Sequence, residues 1–366
     1  MVTKYLLWGL TVPLVAGACN NDGHTDVSED SGSDADTDAD IDADADADAD
    51  TDGDSDADTD ADGDVDTDSC PEEDYQVSHL ATGAGHTCAV LEGGGLKCWG
   101  YDGDTSLGVP SPLGYPMEEE VCAGDTPATC PFVDVGGPVA RITAGGGHTC
   151  ALLESGGVKC WGWNGGGMYP CANILGYGDD YDDCGACEVP SDWGTLDLGG
   201  TAEKIAAYGT HSSALMSDGN VRTWGCSIQM QSDLSDHHQL DFGGAAVQVT
   251  TGEDHHCALL EDGDVYCWGY NSQGQLGYGH TDFVAAGQVP DQAGPVELGE
   301  PAVQVAAGGY HSCAILEGGD VVCWGWGQYG RLGYGNTENV GDDELPADVG
   351  TVDLGGQAAS ISAGKQ

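Results

Sequence analysis

Short runs in which apolar residues alternate with small or polar ones recur five times along the chain. They are Ala84–Leu91, Gly146–Leu153, Gly209–Met216, Glu253–Leu260 and Gly309–Leu316. Each contains a His followed by an apolar stretch, and each is followed by a second run ending in Trp99-Gly100, Trp161-Gly162, Trp224-Gly225, Trp268-Gly269 or Trp324-Gly325. Runs of this length with a period of two predict paired β-strands. The His-to-His steps are 62, 63, 44 and 56 residues, so one unit is repeated with insertions of varying size. Each unit also closes on a strand-like segment ending in Gly: Val133–Gly136, Leu196–Gly199, Leu240–Gly243, Val296–Gly299 and Val352–Gly355.

The register of each hairpin can be read directly. With Cys88 opposite Cys98, Val90 faces Leu96, Leu91 faces Gly95, and Glu92-Gly93-Gly94 forms a three-residue loop. Such a loop needs a left-handed residue at its third position, where Gly carries no steric cost. That position is Gly94, Gly156, Gly219, Gly263 and Gly319 in the five copies. Opposed strand residues are close enough for a disulfide, which predicts Cys88–Cys98, Cys150–Cys160, Cys257–Cys267 and Cys313–Cys323. In the third copy both positions change together, to Ser213 and Thr223. His211 persists there, so His and Cys have separate roles and a zinc site built from both is disfavoured. Cys88, Val90, Leu96 and Cys98 share one hairpin face; Ala89, Leu91 and Trp99 share the other. Sheets apolar on both faces must be covered on both. Small antiparallel sheets stacked face to face describe an all-β propeller.

The unit, together with Asn271–Gly279 and its partial echo Tyr329–Gly335, resembles the regulator of chromosome condensation repeat, from Gln76 onward. The resemblance implies a propeller, usually of seven blades, that serves as a protein-binding platform. Five complete copies are expected, approximately 76–136, 139–199, 202–243, 246–299 and 302–355. Residues 358–366 read as the opening strand of a sixth. That strand either completes the last blade and closes a five-bladed ring, or begins a blade whose remainder is missing; the second reading is favoured.

Ahead of the repeats, residues 1–18 read as a secretory signal: Lys4, an apolar stretch and Ala16-Gly17-Ala18. Cys19 follows, and the run resembles a bacterial lipobox, which implies diacylation of Cys19 and a membrane anchor. Residues 19–69 read as a disordered linker. From Asp34 to Asp68 every second residue is Asp, and residues 20–69 hold 21 Asp and Glu29 with no Lys or Arg. Like charges at this density extend the chain, and little apolar surface is available to bury. Asp58–Gly63 matches the opening of a calcium loop, but Ser69 stands where the bidentate Glu belongs. Over the whole chain, 63 acidic residues against 8 Lys and Arg give a formal charge of −55, which excludes phosphate-contacting nucleic-acid binders. The 16 Cys fit an oxidising compartment.

Candidate chemistry is sparse. The repeated His86, His148, His211, His255 and His311 read as hydrogen-bonded structural groups. Trp163, Tyr270 and Trp326, just beyond the Trp-Gly pairs, are the candidate binding residues. Cys122–Cys130 is a possible loop disulfide; the partners of Cys70, Cys171, Cys184, Cys187 and Cys226 stay open. No hydrolase, nucleotide-loop or zinc-protease motif occurs, and no metal or cofactor is expected. The expectation is therefore a non-enzymatic protein- or glycan-binding scaffold, lipid-anchored at the bacterial cell envelope in the outer membrane, with surface exposure considered. A propeller lyase or hydrolase is the alternative, and exchange on a GTPase ranks below both.

Overall fold

The computed structural model describes residues 76–101, 111–115, 126–165, 173–177, 189–225, 238–286, 289 and 293–364. The signal, Cys19, the linker, Cys70, Cys122, Cys171, Cys184, Cys187 and Cys226 lie outside them. Five antiparallel sheets follow one another in chain order. Blade 1 holds β1 (Val77–Thr82), β2 (His86–Leu91) and β3 (Leu96–Gly100); blade 2 holds β4 (Val139–Ala144), β5 (His148–Leu153) and β6 (Val158–Gly162). Blade 3 holds β7 (Ala202–Tyr208), β8 (His211–Met216), β9 (Val221–Gly225) and β10 (His238–Leu240). Blades 4 and 5 hold β11 (Ala246–Thr251), β12 (His255–Leu260) and β13 (Val265–Gly269), then β14 (Ala302–Ala307), β15 (His311–Leu316) and β16 (Val321–Gly325). Among the described residues no helix is long and apolar enough to cross a membrane.

The hairpin register places Cys88 opposite Cys98 and Val90 opposite Leu96, and it repeats in every blade. The third loop glycine is left-handed in all five, with φ between 82° and 90°. Disulfides join Cys88–Cys98, Cys150–Cys160, Cys257–Cys267 and Cys313–Cys323 across Cα separations of 4.0–4.1 Å. The central strands of blades 2–5 are buried on both faces, and Trp161, Trp224, Trp268 and Trp324 are fully enclosed between blades.

The closing segments differ from the sequence reading. Four of them contribute one backbone bond each to the outer strand, such as Val133 N–H to Leu96 O and Val352 N–H to Val321 O. Only blade 3 has a true fourth strand among the described residues, β10, which brings His238 opposite Thr223. The reason lies in a tyrosine. At Cys98, Cys267 and Cys323 the backbone N–H and C=O point away from the hairpin, and one hydroxyl satisfies both: that of Tyr115, Tyr278 or Tyr334, at 2.9–3.3 Å. In blade 2 the Tyr177 hydroxyl accepts from Cys160 N–H. A buried edge left unpaired would be costly; the Leu-Gly-Tyr turn covers it with one side chain. Blade 3 has no such turn in its sequence, and there β10 does the covering.

Neighbouring blades are locked by the repeated histidine. His86 Nε2 lies 2.8 Å from Thr149 Oγ1 of blade 2, and that hydroxyl donates to Pro112 O at 2.7 Å. His255 Nε2 lies 2.8 Å from Ser312 Oγ, which donates to Gln275 O at 3.1 Å. A hydroxyl that donates onward must accept from the ring, so Nε2 carries the proton. The same carbonyls accept the indole N–H of the next blade: Trp161 to Pro112 O at 3.0 Å and Trp324 to Gln275 O at 2.9 Å. His148 meets Ser212 Oγ at 2.8 Å. Each of these rings packs against a glycine three residues earlier, Gly83, Gly145 or Gly252, where a Cβ would collide with it.

Blade 3 breaks this pattern. Tyr208 occupies the glycine position, and the next blade offers His256 in place of a hydroxyl. The His211 and His256 rings meet edge-on at 5.6 Å, and His256 stacks on Trp268. Where the blade-3 disulfide is missing, Ser213 Oγ instead bonds Thr251 Oγ1 at 2.8 Å, which reaches His256 Nδ1 at 3.2 Å.

Residues 358–364 continue the contacts made between blades. Gln248 exchanges two bonds with Val305 of the next blade, and Gln304 exchanges the same two with Ile361. Gly309 N–H then bonds Gly364 O, as Glu253 N–H bonds Gly309 O. The segment thus lies against β14 in the way that β14 lies against β11, through the same pair of glutamine bonds. At the other end, Val77 and Leu80 of β1 are 57% and 61% exposed.

Two outcomes follow. Replacing Cys150 and Cys160 by Ser lowers unfolding free energy by about 2–3 kcal/mol in urea denaturation, the loop-closure value for so short a ring. Burial pushes His148 and His255 down to about 3 and His86 and His211 to about 4. In the unfolded chain these rings titrate near the usual value of about 6.5, so that state binds more protons in acid. Stability is therefore full above about pH 6.5 and falls steadily toward pH 4, read as a declining urea midpoint.

Candidate functional site

One end of every blade carries the turn joining its first two strands, and the residue after Trp-Gly folds back onto that turn. Tyr101, Trp163, Tyr270 and Trp326 each donate their backbone N–H to the carbonyl just before the blade's His, Gly85, Gly147, Asp254 and Tyr310 respectively, all at 2.8 Å. This bond fixes each aromatic side chain above a turn. A Cβ on Gly85 would lie 3.0 Å from that of Tyr101, and one on Gly147 would lie 3.4 Å from that of Trp163. Tyr101 is 54% exposed, while Trp163, Tyr270 and Trp326 are half-buried. The structure thus sets the three sequence candidates at one register position on one face and adds Tyr101. The equivalent residue of blade 3, Cys226, lies outside the described residues.

The arc is richest over blades 3–5. Tyr310 meets Trp326 edge-on at 5.7 Å, and Trp326 meets Tyr329 at 6.5 Å. The Arg331 guanidinium lies over Trp326 at 4.1 Å and near Tyr329 at 5.9 Å, a cation–π arrangement. Beside it the blade-4 turn presents Glu253 and Asp254. Asp254 Oδ1 stands 4.0 Å from His211 Nε2. Burial, followed by the Glu253 charge and Tyr310, pushes the Tyr208 hydroxyl up to about 12. Burial and the Glu253 and Asp254 carboxylates raise Tyr310 as well. Sequence reasoning passed over Tyr208, Glu253, Asp254 and Tyr310. Their signal was available as departures from glycine in the turn preceding His.

The histidines are not part of this surface; they point between blades. Cys130 is disulfide-bonded, and its proposed mate Cys122 lies outside the described residues. So does most of the long loops 101–132 and 163–193. Elsewhere the carboxylates of Asp342, Asp343 and Glu344 approach within 4.8 Å of one another in one loop. Partial burial, an Asp343 hydrogen bond and the neighbouring charges push Glu344 up to about 7. The sequence reading did not single this trio out.

With this geometry in place, the repeats find their counterparts. Profiles of the regulator of chromosome condensation (RCC1) repeat match residues 77–104, 139–167, 246–275 and 302–331, and a second RCC1 repeat profile matches 262–315. The stretch left unmatched includes blade 3, the copy without the Cys pair, the turn glycine and the Leu-Gly-Tyr cover. The ultraviolet-B receptor UVR8 of Arabidopsis thaliana is 28% identical over 258 residues, covering 70% of this chain and 43% of the receptor. The chain spans less than half the length of the curated relatives it matches. Among solved structures, human WBSCR16 superposes with a TM-score of 0.61 at 20% identity, covering 80% of this chain and 70% of that one. Prp20p of Saccharomyces cerevisiae superposes at 0.60 and 20% identity, covering 80% and 67%. These establish a β-propeller of this repeat type.

Because Trp163 and Trp326 are half-open while Trp161, Trp224, Trp268 and Trp324 are enclosed, a Trp163→Phe, Trp326→Phe variant is expected to keep its fold. It should lose a large part of the emission that acrylamide quenches. Unchanged quenching would place those indoles elsewhere.

Proposed function

We propose that this chain, a member of the regulator of chromosome condensation repeat family, is a non-enzymatic platform that holds another protein against the turn-bearing face of its propeller. The observation that carries this reading is the repetition of an open aromatic residue at one register position: Tyr101, Trp163, Tyr270 and Trp326. Aromatic side chains with one face against a rigid scaffold and the other toward solvent supply contact area at low entropic cost. The bond that anchors these residues uses only the backbone, leaving the choice of side chain open. The related yeast Prp20p is described with binding properties to Gsp1p and histones, and yeast RCC1 is held by Kap60 in another structure. By those descriptions, proteins that contain this fold bind other proteins.

The signal-like residues 1–18 and Cys19 support a lipid anchor at the cell envelope. Two acyl chains give stable anchoring where one does not. In this reading Cys19→Ser shifts the chain from the detergent-extracted membrane fraction to the soluble one; unchanged partitioning would remove the anchor.

The platform is tested by site-specific photo-crosslinking in the native cell. A crosslinker at position 326 is expected to trap a discrete protein adduct. One at Glu261, in the loop at the opposite end of blade 4, is not. Equal adducts from both positions, or none from either, would sink the reading; a glycan in place of a protein at position 326 would redirect it.

A further inference from the structure

Three adjacent turns meet in a continuous strip on the turn-bearing face. The blade-4 turn lies between those of blades 3 and 5: Glu253 N–H bonds Gly309 O at 3.3 Å, and a Cβ on Gly209 would sit 3.2 Å from Glu253 O and 3.7 Å from its carboxyl carbon. Tyr208 and Tyr310 flank these contacts in sequence. Tyr270 N–H bonds Asp254 O at 2.8 Å, which sets a third tyrosine behind the second carboxylate. The electrostatics agree, since Glu253 acts on both Tyr208 and Tyr310, and Asp254 on Tyr310. Two carboxylates therefore stand in a frame of half-open aromatic rings. All five residues are half-buried, with Tyr208 Oη and Glu253 Oε2 themselves withdrawn from water.

Phenol rings and carboxylates together favour one kind of guest. A ring face is negative at its centre and attracts a cation, and a carboxylate accepts its hydrogen bonds. The same face already shows the first half of this chemistry, in the Arg331 guanidinium lying 4.1 Å over Trp326. The field of the chain has the matching sign: a formal charge of −55 draws basic partners and repels acidic ones.

We propose that the turns of blades 3, 4 and 5 form a receptor for an arginine or lysine side chain of a partner protein, held between the Glu253 and Asp254 carboxylates and the rings of Tyr208, Tyr270 and Tyr310. This deepens the platform reading and rests on it. The net negative charge of the chain draws basic segments without selecting among them; the strip supplies selection, because there rings and carboxylates coincide. Arginine is favoured over lysine, since its flat guanidinium stacks on a ring while its edge meets a carboxylate.

The test is calorimetric titration of the full-length chain, at physiological salt, with a peptide of alternating Gly and Arg and with the same peptide carrying citrulline, a neutral isostere. The arginine peptide is expected to bind and the citrulline peptide not. Glu253→Gln with Asp254→Asn should weaken binding about tenfold, and Tyr310→Ala several-fold. Glu261→Gln with Glu317→Gln, at the far end of the blades, should leave affinity unchanged. Thermal melting of each variant separates a lost site from a lost fold. Equal binding by all variants would assign the attraction to bulk charge and overturn the proposal, as would no binding at all. The crosslinking experiment uses no peptide. A discrete adduct from position 326 beside a silent titration would therefore leave the platform standing and this receptor refuted.

Discussion

The structure depends on one buried histidine–hydroxyl bridge made at three of the four described blade boundaries. A histidine of one blade donates to a hydroxyl of the next, and where the bridge is complete that hydroxyl donates to a carbonyl that also takes the following indole. Inside a low-dielectric boundary such a bond is strong when made and expensive when one partner is missing. It converts two greasy sheet faces, which would tolerate sliding, into a pair with one allowed register. The neighbouring glycine is part of the same device, since any side chain there would strike the imidazole. The aromatic arc inherits its spacing from this bridge: its backbone anchor is the carbonyl immediately before the histidine.

Most of the scaffold was legible because a hairpin is a local object. Its register follows from a period of two, one obligatory loop glycine and one opposed cysteine pair, all within a span short enough to read by eye. The simultaneous change to Ser213 and Thr223 carried as much information as the four pairs. The inter-blade partners were less legible. The Ser or Thr after four of the five histidines is visible as a repeat, but the histidine it meets lies 57–64 positions away in the preceding copy, and no periodicity announces which atom it will meet. The missing fourth strands were misread for a related reason. Val-Asp-Val-Gly looks like a strand, yet the edge it would pair with is already satisfied by a tyrosine hydroxyl from another loop.

Blade 3 shows how several departures fit together. It lacks the disulfide, the turn glycine, the Leu-Gly-Tyr cover and the hydroxyl partner in the following blade, and the first, third and fourth of these have local replacements. Ser213 and Thr251 bridge toward His256, which stacks on Trp268, and β10 closes the edge. The same loss of glycine puts Tyr208 at the turn, beside Glu253. The least regular copy thus borders the most chemically varied part of the exposed face, where sequence reasoning from the repeat consensus had least to offer.

Each described sulfur pair closes a ring of ten intervening bonds' worth of sequence separation within a single ribbon, and none of these four ties one module to its neighbour. Oxidation can accordingly finish ribbon by ribbon as the polypeptide lengthens, with each thiol meeting its mate before a competitor from a later module exists. These four pairs thus leave the packed faces between modules to hydrogen bonds and side-chain contact, so that proteolytic failure along such a face releases a leaflet whose own ribbon is still cross-linked.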